Sequence, residues 1–249
     1  MQIESPLRSF VVDTAPPVTL LREASSPVDW QLHYPMSGRT HQWNALHSWY
    51  IATLKRTVDM VAASLLLIVL APILFLVMVG IAVESPGPVL FRQVRCGRDG
   101  RRFTCLKFRT MVVKAEERLE TDDALRLAFQ QSRKLQDDPR VTCIGHWLRR
   151  LSIDETPQLV NVLRGEMSLV GPRPVPPDEL RECYGEMAAL VFAVKPGLTG
   201  LWQVSGRSNI DYPRRVQLDL EYARCCGFWF DLALLLRTIP ALIGRRGAI

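Results

Sequence analysis

The sequence predicts an α/β protein, mostly helical with a short β-hairpin, that is attached to a membrane by one apolar helix. Three observations support this fold class. Residues 60–83 carry no charged side chain, residues 89–108 contain two short apolar runs around a glycine-containing turn, and residues 157–165 have the apolar spacing of a helix. The chain of 249 residues is long enough to bury one sizeable core.

The composition favours a membrane over a nucleic acid as the partner of this basic chain. Hydrophobic residues make up 48% of the sequence, and the net charge is +6. A basic chain can bind nucleic acid, an anionic membrane surface or phosphorylated small molecules. The sequence contains no zinc-finger or RNP-type spacing, so nucleic-acid binding is not expected. The six cysteines form no CxxC pair, which indicates reduced thiols in the cytosol.

Residues 1–45 are interpreted as a mobile N-terminal tail. They contain five prolines and show no sustained period of a strand or a helix. They also lack the basic region followed by an apolar region that marks a signal peptide.

The apolar run at residues 60–83 has two alternative paths. As one straight helix, its 24 residues would reach about 36 Å and cross a hydrocarbon core of about 30 Å. Pro72 lies in the middle of the run and predicts a kink, because proline lacks a backbone donor and pushes against the preceding turn. Each half would then be about 18 Å long, which is close to the depth of one leaflet.

Positive charges at both ends of this run favour a re-entrant helix. Positive residues favour the cytoplasmic side of a membrane, so a helix that enters, kinks and returns would place both ends on that side. A kinked spanning helix remains the alternative. The charges that precede the run are Lys55 and Arg56, and those that follow are Arg92, Arg95, Arg98, Arg101, Arg102, Lys107 and Arg109.

Further elements follow the apolar run. Residues 89–91 and 103–108 are predicted as the strands of a hairpin around the turn CGRDGRR. Residues 112–136 and 214–225 are predicted as helices. Residues 227–247 combine aromatics, leucines and terminal arginines, which predicts an interfacial amphipathic helix, with a buried core helix as the alternative.

Two adjacent acids, Asp154 and Glu155, stand just ahead of another predicted helix. Thr156 can cap this helix with Pro157 at its first position, and Gly165 can stop it. At such a position both carboxylates can reach one site from different directions, one to attack a phosphorus atom and the other to hold a divalent metal. The alternative is that both acids stabilise the positive end of the helix, worth about 0.3–1 kcal/mol each.

Nearby arginines favour a phosphate site at these acids. Arg149 and Arg150 precede Asp154 by five and four residues. Arg173 lies between two prolines, so little entropy is lost when it binds an anion, and its guanidinium suits bidentate contact with phosphate. The residues therefore point to a phosphate site at the edge of a membrane, with a carboxylate placed to attack.

Four segments carry long motifs in a fixed order. They read KRTVDMVAAS, FRQVRCGRDGRRFTCLKFRTM, LRRLSIDETPQLVNVLRGEMSLVGPRPV and KPGLTGLWQVSGRS. Together they closely resemble the bacterial sugar transferase family, the monotopic polyprenyl-phosphate phosphoglycosyl transferases. The resemblance covers most of the chain, from Lys55 to the C-terminal RRGAI.

The resemblance implies that a hexose-1-phosphate moves from a UDP-sugar to undecaprenyl phosphate with release of UMP, the first membrane step of exopolysaccharide, capsule or O-antigen synthesis. Asp154 would attack the sugar-linked phosphate and form a phosphosugar-aspartyl intermediate, and Glu155 would help to hold Mg²⁺. Arg149 and Arg173 match positions that bind phosphate groups. The family's membrane helix is re-entrant and kinked at a central proline, here Pro72, which makes such proteins monotopic.

The same resemblance implies where the protein lies and what it meets. Residues 46–86 would form the membrane-associated region, and residues 87–249 a catalytic domain on the cytoplasmic face of the bacterial inner membrane. The donor would be UDP-glucose or UDP-galactose. Lys55 and Arg56 are candidates for contacts with the acceptor phosphate or with lipid headgroups, and simple interfacial anchoring is the alternative.

Two other functions are weighed against this one. A catalytically silent membrane adaptor of a polysaccharide assembly complex would be favoured by a replaced dyad, whereas the dyad is intact. A metal-dependent nucleotide-sugar pyrophosphatase would use water as its acceptor, and the apolar run argues against it. Self-association into a homo-oligomer is left open.

Overall fold

The structure is a computed structural model that describes residues 50–123, 126–127, 138–206 and 210–243. The predicted tail at residues 1–45 lies outside the described residues, as does part of the helix predicted over residues 112–136.

The described residues form a mostly helical fold with two two-stranded sheets, in agreement with the predicted fold class. The helices are α1 (Lys55–Glu84), α2 (Ala115–Thr121), α3 (Cys143–Leu151), α4 (Gln158–Arg164), α5 (Pro177–Glu179), α6 (Ala188–Val191), α7 (Leu201–Ser205), α8 (Tyr212–Cys225) and α9 (Phe228–Ile243). The strands are β1 (Leu90–Cys96), β2 (Arg102–Phe108), β3 (Ser168–Val170) and β4 (Gly197–Thr199).

Helix α1 contains the apolar run. Its 30 residues would extend about 45 Å if straight, and it is the one helix among the described residues that is long and apolar enough to cross a membrane. Side chains along its middle are exposed on several sides, among them Ile68, Val69, Phe75 and Leu76. The helix is continuous through Pro72, which is itself exposed. A re-entrant path therefore stays a prediction.

The hairpin predicted from the glycine-containing turn is confirmed. Strands β1 and β2 pair antiparallel, from Leu90 opposite Phe108 to Cys96 opposite Arg102. Between them, Asp99 has a φ of 54°, in the left-handed region that aspartate tolerates better than most residues. The second sheet, a parallel pairing of β3 with β4, was not predicted.

The helix after the two acids begins differently from the prediction. Helix α4 follows directly from a 3₁₀ turn at Ile153–Glu155, and the Thr156 hydroxyl donates to the Ile153 carbonyl at 2.7 Å. Thr156 is therefore not the N-cap, because its hydroxyl faces back along the chain. The predicted stop is confirmed, since Gly165 ends α4 with a φ of 81°.

Side chains in the first turns of α1 hydrogen-bond to the backbone in the last turn of α4 and in β3. Arg56 donates to the carbonyls of Val162 at 2.6 Å and Leu163 at 2.8 Å, where α4 ends. Asp59 accepts from the backbone N–H of Leu169 in β3 at 3.0 Å. The membrane helix thus caps α4 and aligns β3 with it.

A buried polar cluster joins the start of α1 to α9. The Lys55 ammonium donates to Asp231, to the carbonyl of Val170 at 3.0 Å and to the hydroxyl of Tyr222 at 3.3 Å. Tyr50 and Tyr222 also donate to Asp231, at 2.6 and 2.8 Å. One carboxylate therefore accepts from three donors, two of them from residues 50 and 55 and one from the preceding helix, α8.

The far end of α1 contacts the same domain. Ile81 is buried with Phe108 of β2 and Leu148 of α3. The Glu84 carboxylate accepts from the backbone N–H of Ile144 at 3.2 Å, in the first turn of α3. Both ends of α1 are thus held by the domain, while its middle is exposed.

The segment predicted as an interfacial helix is α9, and it has two faces. Leu234 is fully buried in the main core, whereas Trp229, Leu236 and Ile239 are exposed. The prediction of a helix is confirmed, and its exposed apolar face suits the interface of a membrane.

The Asn161 side chain fastens α4 to the hairpin. Its amide oxygen accepts from the backbone N–H of Leu106 at 3.0 Å, and its amide nitrogen donates to the carbonyl of Thr104 at 2.8 Å and to Glu166 at 2.6 Å. The residue is fully buried. Because the Asn161 amide hydrogen-bonds to the backbone of β2 as a neighbouring strand would, it fixes the position of β2 against α4.

Asn161→Ala is expected to destabilise the fold although alanine favours helices. The change leaves buried backbone groups of β2 unpaired, at a cost of about 2 kcal/mol or more. The midpoint of thermal unfolding, measured by circular dichroism in detergent, should fall by roughly 4–8 °C. Arg164→Ala, an exposed site on the same helix, should change it little. Equal midpoints for both variants would contradict the role of Asn161.

Candidate active site

The two acids lie in a sharp turn between α3 and α4. Ser152 ends α3 in the left-handed region with a φ of 56°, and the 3₁₀ turn at Ile153–Glu155 follows. Successive residues of a 3₁₀ turn point about 120° apart, so Asp154 and Glu155 face different surroundings. The prediction that they stand just ahead of a helix is confirmed.

Glu155 is held by two cations. Its Oε1 accepts from Lys107 Nζ at 2.7 Å and from an Arg173 guanidinium nitrogen at 3.3 Å. Burial alone would raise the pKa of Glu155, but Lys107 and Arg173 outweigh burial and hold the pKa well below its usual range. Glu155 is therefore ionised at any physiological pH.

Asp154 differs from Glu155 in its hydrogen bonds and in the direction of its pKa shift. Its carboxylate accepts no hydrogen bond from the part of the chain that the structure describes, and it is partly exposed. Burial, together with the nearby Glu155 charge, raises the pKa of Asp154 to about 6, although Lys107 and Arg149 oppose the shift. At pH 7 the group is still roughly nine-tenths ionised. Asp154 is thus a more basic carboxylate than usual, with free oxygens.

Arg149 reaches the site from the last turn of α3. Its Nε donates to the Thr110 hydroxyl at 2.9 Å, which orients the guanidinium. Burial lowers the pKa of Arg149, while the charge of Asp154 acts in the other direction. The structure therefore brings Arg149 near Asp154, as the sequence suggested.

Arg173 reaches the site from the segment that follows β3. It follows β3 between two prolines, and its guanidinium lies 5.6 Å from the ring centre of Trp202. The Glu155 carboxylate raises the pKa of Arg173 despite burial. Arg215 stacks on the same indole at 4.8 Å, so two arginines share one aromatic ring.

A small cleft opens beside Glu155, and most of its polar residues were not predicted. Lys107 and Arg95 come from the two strands of the hairpin, and Gln158 from the first turn of α4. The period of two along β2 could have identified Lys107, since it places residues 103, 105 and 107 on one face. The lining residues are Arg95, Cys105, Lys107, Glu155, Gln158, Arg173, Pro174, Gly197 and Leu198.

Lys55 and Arg56 lie elsewhere, in the contacts described above. The Lys55 head group is buried among Asp231, Tyr222 and Val170, and Arg56 caps α4. Both side chains already have partners within the protein. Their role as contacts for an acceptor phosphate stays a prediction.

The side chains at the dyad fit a Mg²⁺ site whose remaining ligands would come from a substrate and water. No group of three or more acidic, histidine or cysteine side chains occurs among the described residues. Mg²⁺ commonly binds one or two carboxylates together with substrate phosphates and water. Glu155 suits this role because it is ionised and its Oε2 accepts no hydrogen bond from a described residue.

The family follows from comparison with known proteins. Residues 50–245 match the bacterial sugar transferase family, which is most of the chain. The chain belongs to the bacterial sugar transferase family. The two acids, Arg149 and Arg173 all lie within the matched region.

Three relatives illustrate the similarity. The sugar transferase is 46% identical over 199 residues to a UDP-galactose-lipid carrier transferase of Erwinia amylovora, covering 78% of this chain and 41% of the relative. It is 45% identical to the exopolysaccharide production protein ExoY of Rhizobium meliloti, covering 78% and 87%. It is 44% identical over 225 residues to an undecaprenyl-phosphate glucose phosphotransferase of Komagataeibacter xylinus, covering 86% and 40%. The match thus spans about two fifths of the first and third relatives.

Glu155→Gln is expected to lower the pKa of Asp154. The change removes a like charge and frees Lys107 and Arg173 to stabilise the ionised Asp154. Carboxyl ¹³C NMR of aspartate-labelled sugar transferase, assigned with Asp154→Asn, should show the midpoint moving from near pH 6 towards the usual aspartate range. Glu166→Gln, which removes an acid at the far end of α4, should leave the midpoint in place. An unchanged midpoint in Glu155→Gln would show that the two acids do not interact.

Proposed function

We propose that the protein is a phosphoglycosyl transferase that moves a hexose-1-phosphate from a UDP-sugar to undecaprenyl phosphate and releases UMP. The observation that carries the proposal is the contrast between the two acids. Glu155 is fixed by Lys107 and Arg173, whereas Asp154 accepts no hydrogen bond from a described residue and has a raised pKa beside Arg149. A partly exposed, basic carboxylate among cations is suited to attack a phosphorus atom.

The reaction would take two displacements at one phosphorus. An oxygen of Asp154 attacks the phosphorus that bears the sugar, and the bond from that phosphorus to the bridging oxygen of the diphosphate breaks. UMP leaves with the bonding electron pair and the bridging oxygen. A phosphate oxygen of undecaprenyl phosphate then attacks the same phosphorus, which restores the Asp154 carboxylate and forms a lipid-linked diphosphate sugar.

The cations would bind the charges that develop on phosphate oxygens. Arg173 contacts Glu155 and Arg149 lies near Asp154, and guanidinium groups bind phosphate in a bidentate manner. Glu155 would hold a Mg²⁺ ion together with the substrate phosphates, and the bound ion supplies charge neutralisation for the departing phosphate.

The contacts of α1 support the proposed membrane position. Its two ends contact one domain through Arg56 and Glu84, and its middle is exposed and apolar. A helix with these contacts is best accommodated by a re-entrant path through one leaflet, with Pro72 at the bend. Positive residues near both ends support the cytoplasmic face of the bacterial inner membrane.

The names of the relatives support the substrates. Relatives of this chain are named for UDP-galactose, for undecaprenyl phosphate with glucose and for exopolysaccharide production. We infer that the donor is UDP-glucose or UDP-galactose and that the product begins an exopolysaccharide, capsule or O-antigen.

The function is tested by UMP release from purified protein in lipid with each donor. We expect release that depends on added undecaprenyl phosphate and on Mg²⁺. Sustained release without the lipid would support a nucleotide-sugar pyrophosphatase. The absence of release with any UDP-sugar would support an adaptor without catalytic activity.

Asp154→Asn is expected to abolish transfer, because an amide lacks the nucleophilic oxygen. Intact mass spectrometry of the wild type with the donor alone should show a hexose-phosphate adduct, and peptide mapping should locate it at residue 154. The variant should gain no adduct and lose at least about a thousandfold in rate. Activity within a few-fold of the wild type would rule out Asp154 as the nucleophile.

Arg173→Lys is expected to reduce kcat/KM for the donor by roughly ten- to a hundredfold. The ammonium keeps the charge but loses the bidentate geometry and the stacking on Trp202. Initial rates of UMP release measure the effect. Arg164→Lys, an exposed change on α4, is the matched control and should behave as the wild type. Full activity of Arg173→Lys would mean that charge alone suffices at this position.

A further inference from the structure

Gln158 is a buried polar residue that the proposed mechanism does not use. It lies in the first turn of α4, its exposed fraction is 3%, and it lines the cleft beside Glu155. Its side-chain amide makes no hydrogen bond to a residue that the structure describes. Because the great majority of buried polar side chains have hydrogen-bond partners, an amide left open in a cleft indicates a ligand.

The turn that carries the acids places Gln158 beside Glu155. The 3₁₀ turn at Ile153–Glu155 continues through Thr156 and Pro157, which have helical backbone angles, into α4. Side chains three residues apart in a 3₁₀ turn lie one above the other, so Glu155 and Gln158 share one side of the chain. Gln158 therefore faces the same cleft as the carboxylate proposed to hold Mg²⁺ and the donor phosphates.

The cations of the cleft already suit phosphate, whereas the amide does not. The cleft holds three cations, Arg95, Lys107 and Arg173. These cations only donate hydrogen bonds, and the oxygens of an ionised phosphate only accept them. An amide has an acceptor oxygen as well as two donors, so the Gln158 oxygen would repel a phosphate oxygen. The amide is matched instead to a neutral group that both donates and accepts, and a hydroxyl is such a group.

The hexose is the part of a UDP-hexose that best fits this position. The ribose also has hydroxyls, and the uracil edge can also pair with an amide. A single oxygen joins the hexose to the phosphorus that Asp154 would attack, whereas the ribose and the uracil lie beyond the bridging oxygen and a second phosphate. Gln158 follows Asp154 by only four residues, so the hexose is the nearest neutral part of the donor.

We propose that the side-chain amide of Gln158 binds a hydroxyl of the hexose that is transferred. The inference rests on the proposed function and adds a residue that recognises the sugar. Because the hexose stays on Asp154 after UMP leaves, the same contact would hold the sugar during both displacements.

Gln158→Met tests this role, because methionine has nearly the same shape as glutamine and no amide. Gln217→Met makes the same change at an exposed position of α8 and is the matched control. The value of kcat/KM is measured by UMP release with purified protein in lipid. The donors are the UDP-hexose that is transferred and its monodeoxy forms, each of which lacks one hexose hydroxyl.

We expect Gln158→Met to lower kcat/KM for the complete hexose about tenfold, since the hydroxyl loses its partner in the cleft. One monodeoxy donor should be about tenfold poorer than the complete hexose in the wild type and should react equally well with both proteins, because the two groups are in contact. Gln217→Met should match the wild type with every donor. A wild type that uses all monodeoxy donors as well as the complete hexose, or a variant whose loss is the same with all donors, would overturn the proposal.

The midpoint of thermal unfolding separates ligand binding from a structural role of Gln158. An amide without a partner in the folded protein can be replaced by an apolar side chain of the same shape at little cost. The midpoint of Gln158→Met should therefore equal or exceed that of the wild type. A fall of several degrees would show that the amide supports the fold, and the inference would be wrong.

Modified nucleosides distinguish the hexose from the rest of the donor. One such donor lacks a ribose hydroxyl, and another is methylated on the imide nitrogen of uracil. Both should show the full effect of Gln158→Met. If either of them, rather than a monodeoxy hexose, cancels the effect of the variant, the amide binds the nucleoside and the proposal fails.

Donor binding without turnover distinguishes this inference from the proposed function. Binding of the UDP-hexose to Asp154→Asn is measured by isothermal titration calorimetry, with and without Gln158→Met. We expect the added change to weaken binding of the complete hexose about tenfold and to leave binding of one monodeoxy donor unchanged. This result would support the hydroxyl contact even if the wild type released no UMP, an outcome that would reject the proposed function alone. Equal affinities for the complete hexose would overturn the contact.

Discussion

The structure depends on the hydrogen bonds between the first turns of α1 and the backbone around the segment that carries the two acids. Arg56 donates hydrogen bonds to carbonyls in the last turn of α4, and Asp59 accepts one from the backbone of β3. Cations favour the negative end of a helix, so the cap formed by Arg56 also neutralises α4. Because Asp154 precedes α4 and Arg173 follows β3, the helix that meets the membrane positions both sides of the site. The depth of α1 in the bilayer therefore also determines the depth of the dyad.

The buried pair of Lys55 and Asp231 has a different consequence. A buried ion pair contributes little net stability, because desolvation of both charges opposes their attraction. The pair does strongly favour the packing that brings Lys55 and Asp231 together, since burying either charge without its partner would cost free energy. Asp231 lies in an otherwise apolar stretch of α9, and its only described ion-pair partner is Lys55 at the start of α1. The pair thus specifies how the C-terminal helix meets the membrane helix.

The sequence predicted the elements with strong local patterns and missed those that depend on distant contacts. The apolar run of α1, the hairpin around the turn and the stop at Gly165 each have a local signal, and all three are present. The pairing of β3 with β4 joins strands of three residues, too short for a periodic signal. Lys55 meets Asp231 across 176 positions, and Lys107 meets Glu155 across 48, so no local rule could place them together.

The different locations of the proposed donor and acceptor suggest why a covalent intermediate suits this site. On the proposed mechanism the donor comes from water and the acceptor stays in the bilayer. A single displacement would require both substrates, each with its own phosphate charges, to lie beside the two acids at once. Two displacements let UMP leave through the cationic cleft before the lipid phosphate arrives, so that repulsion between the two substrates is avoided. The same carboxylate could serve both steps, because its raised pKa favours attack, while the charges of Arg149 and Lys107 would stabilise the carboxylate that is released when the lipid phosphate displaces it.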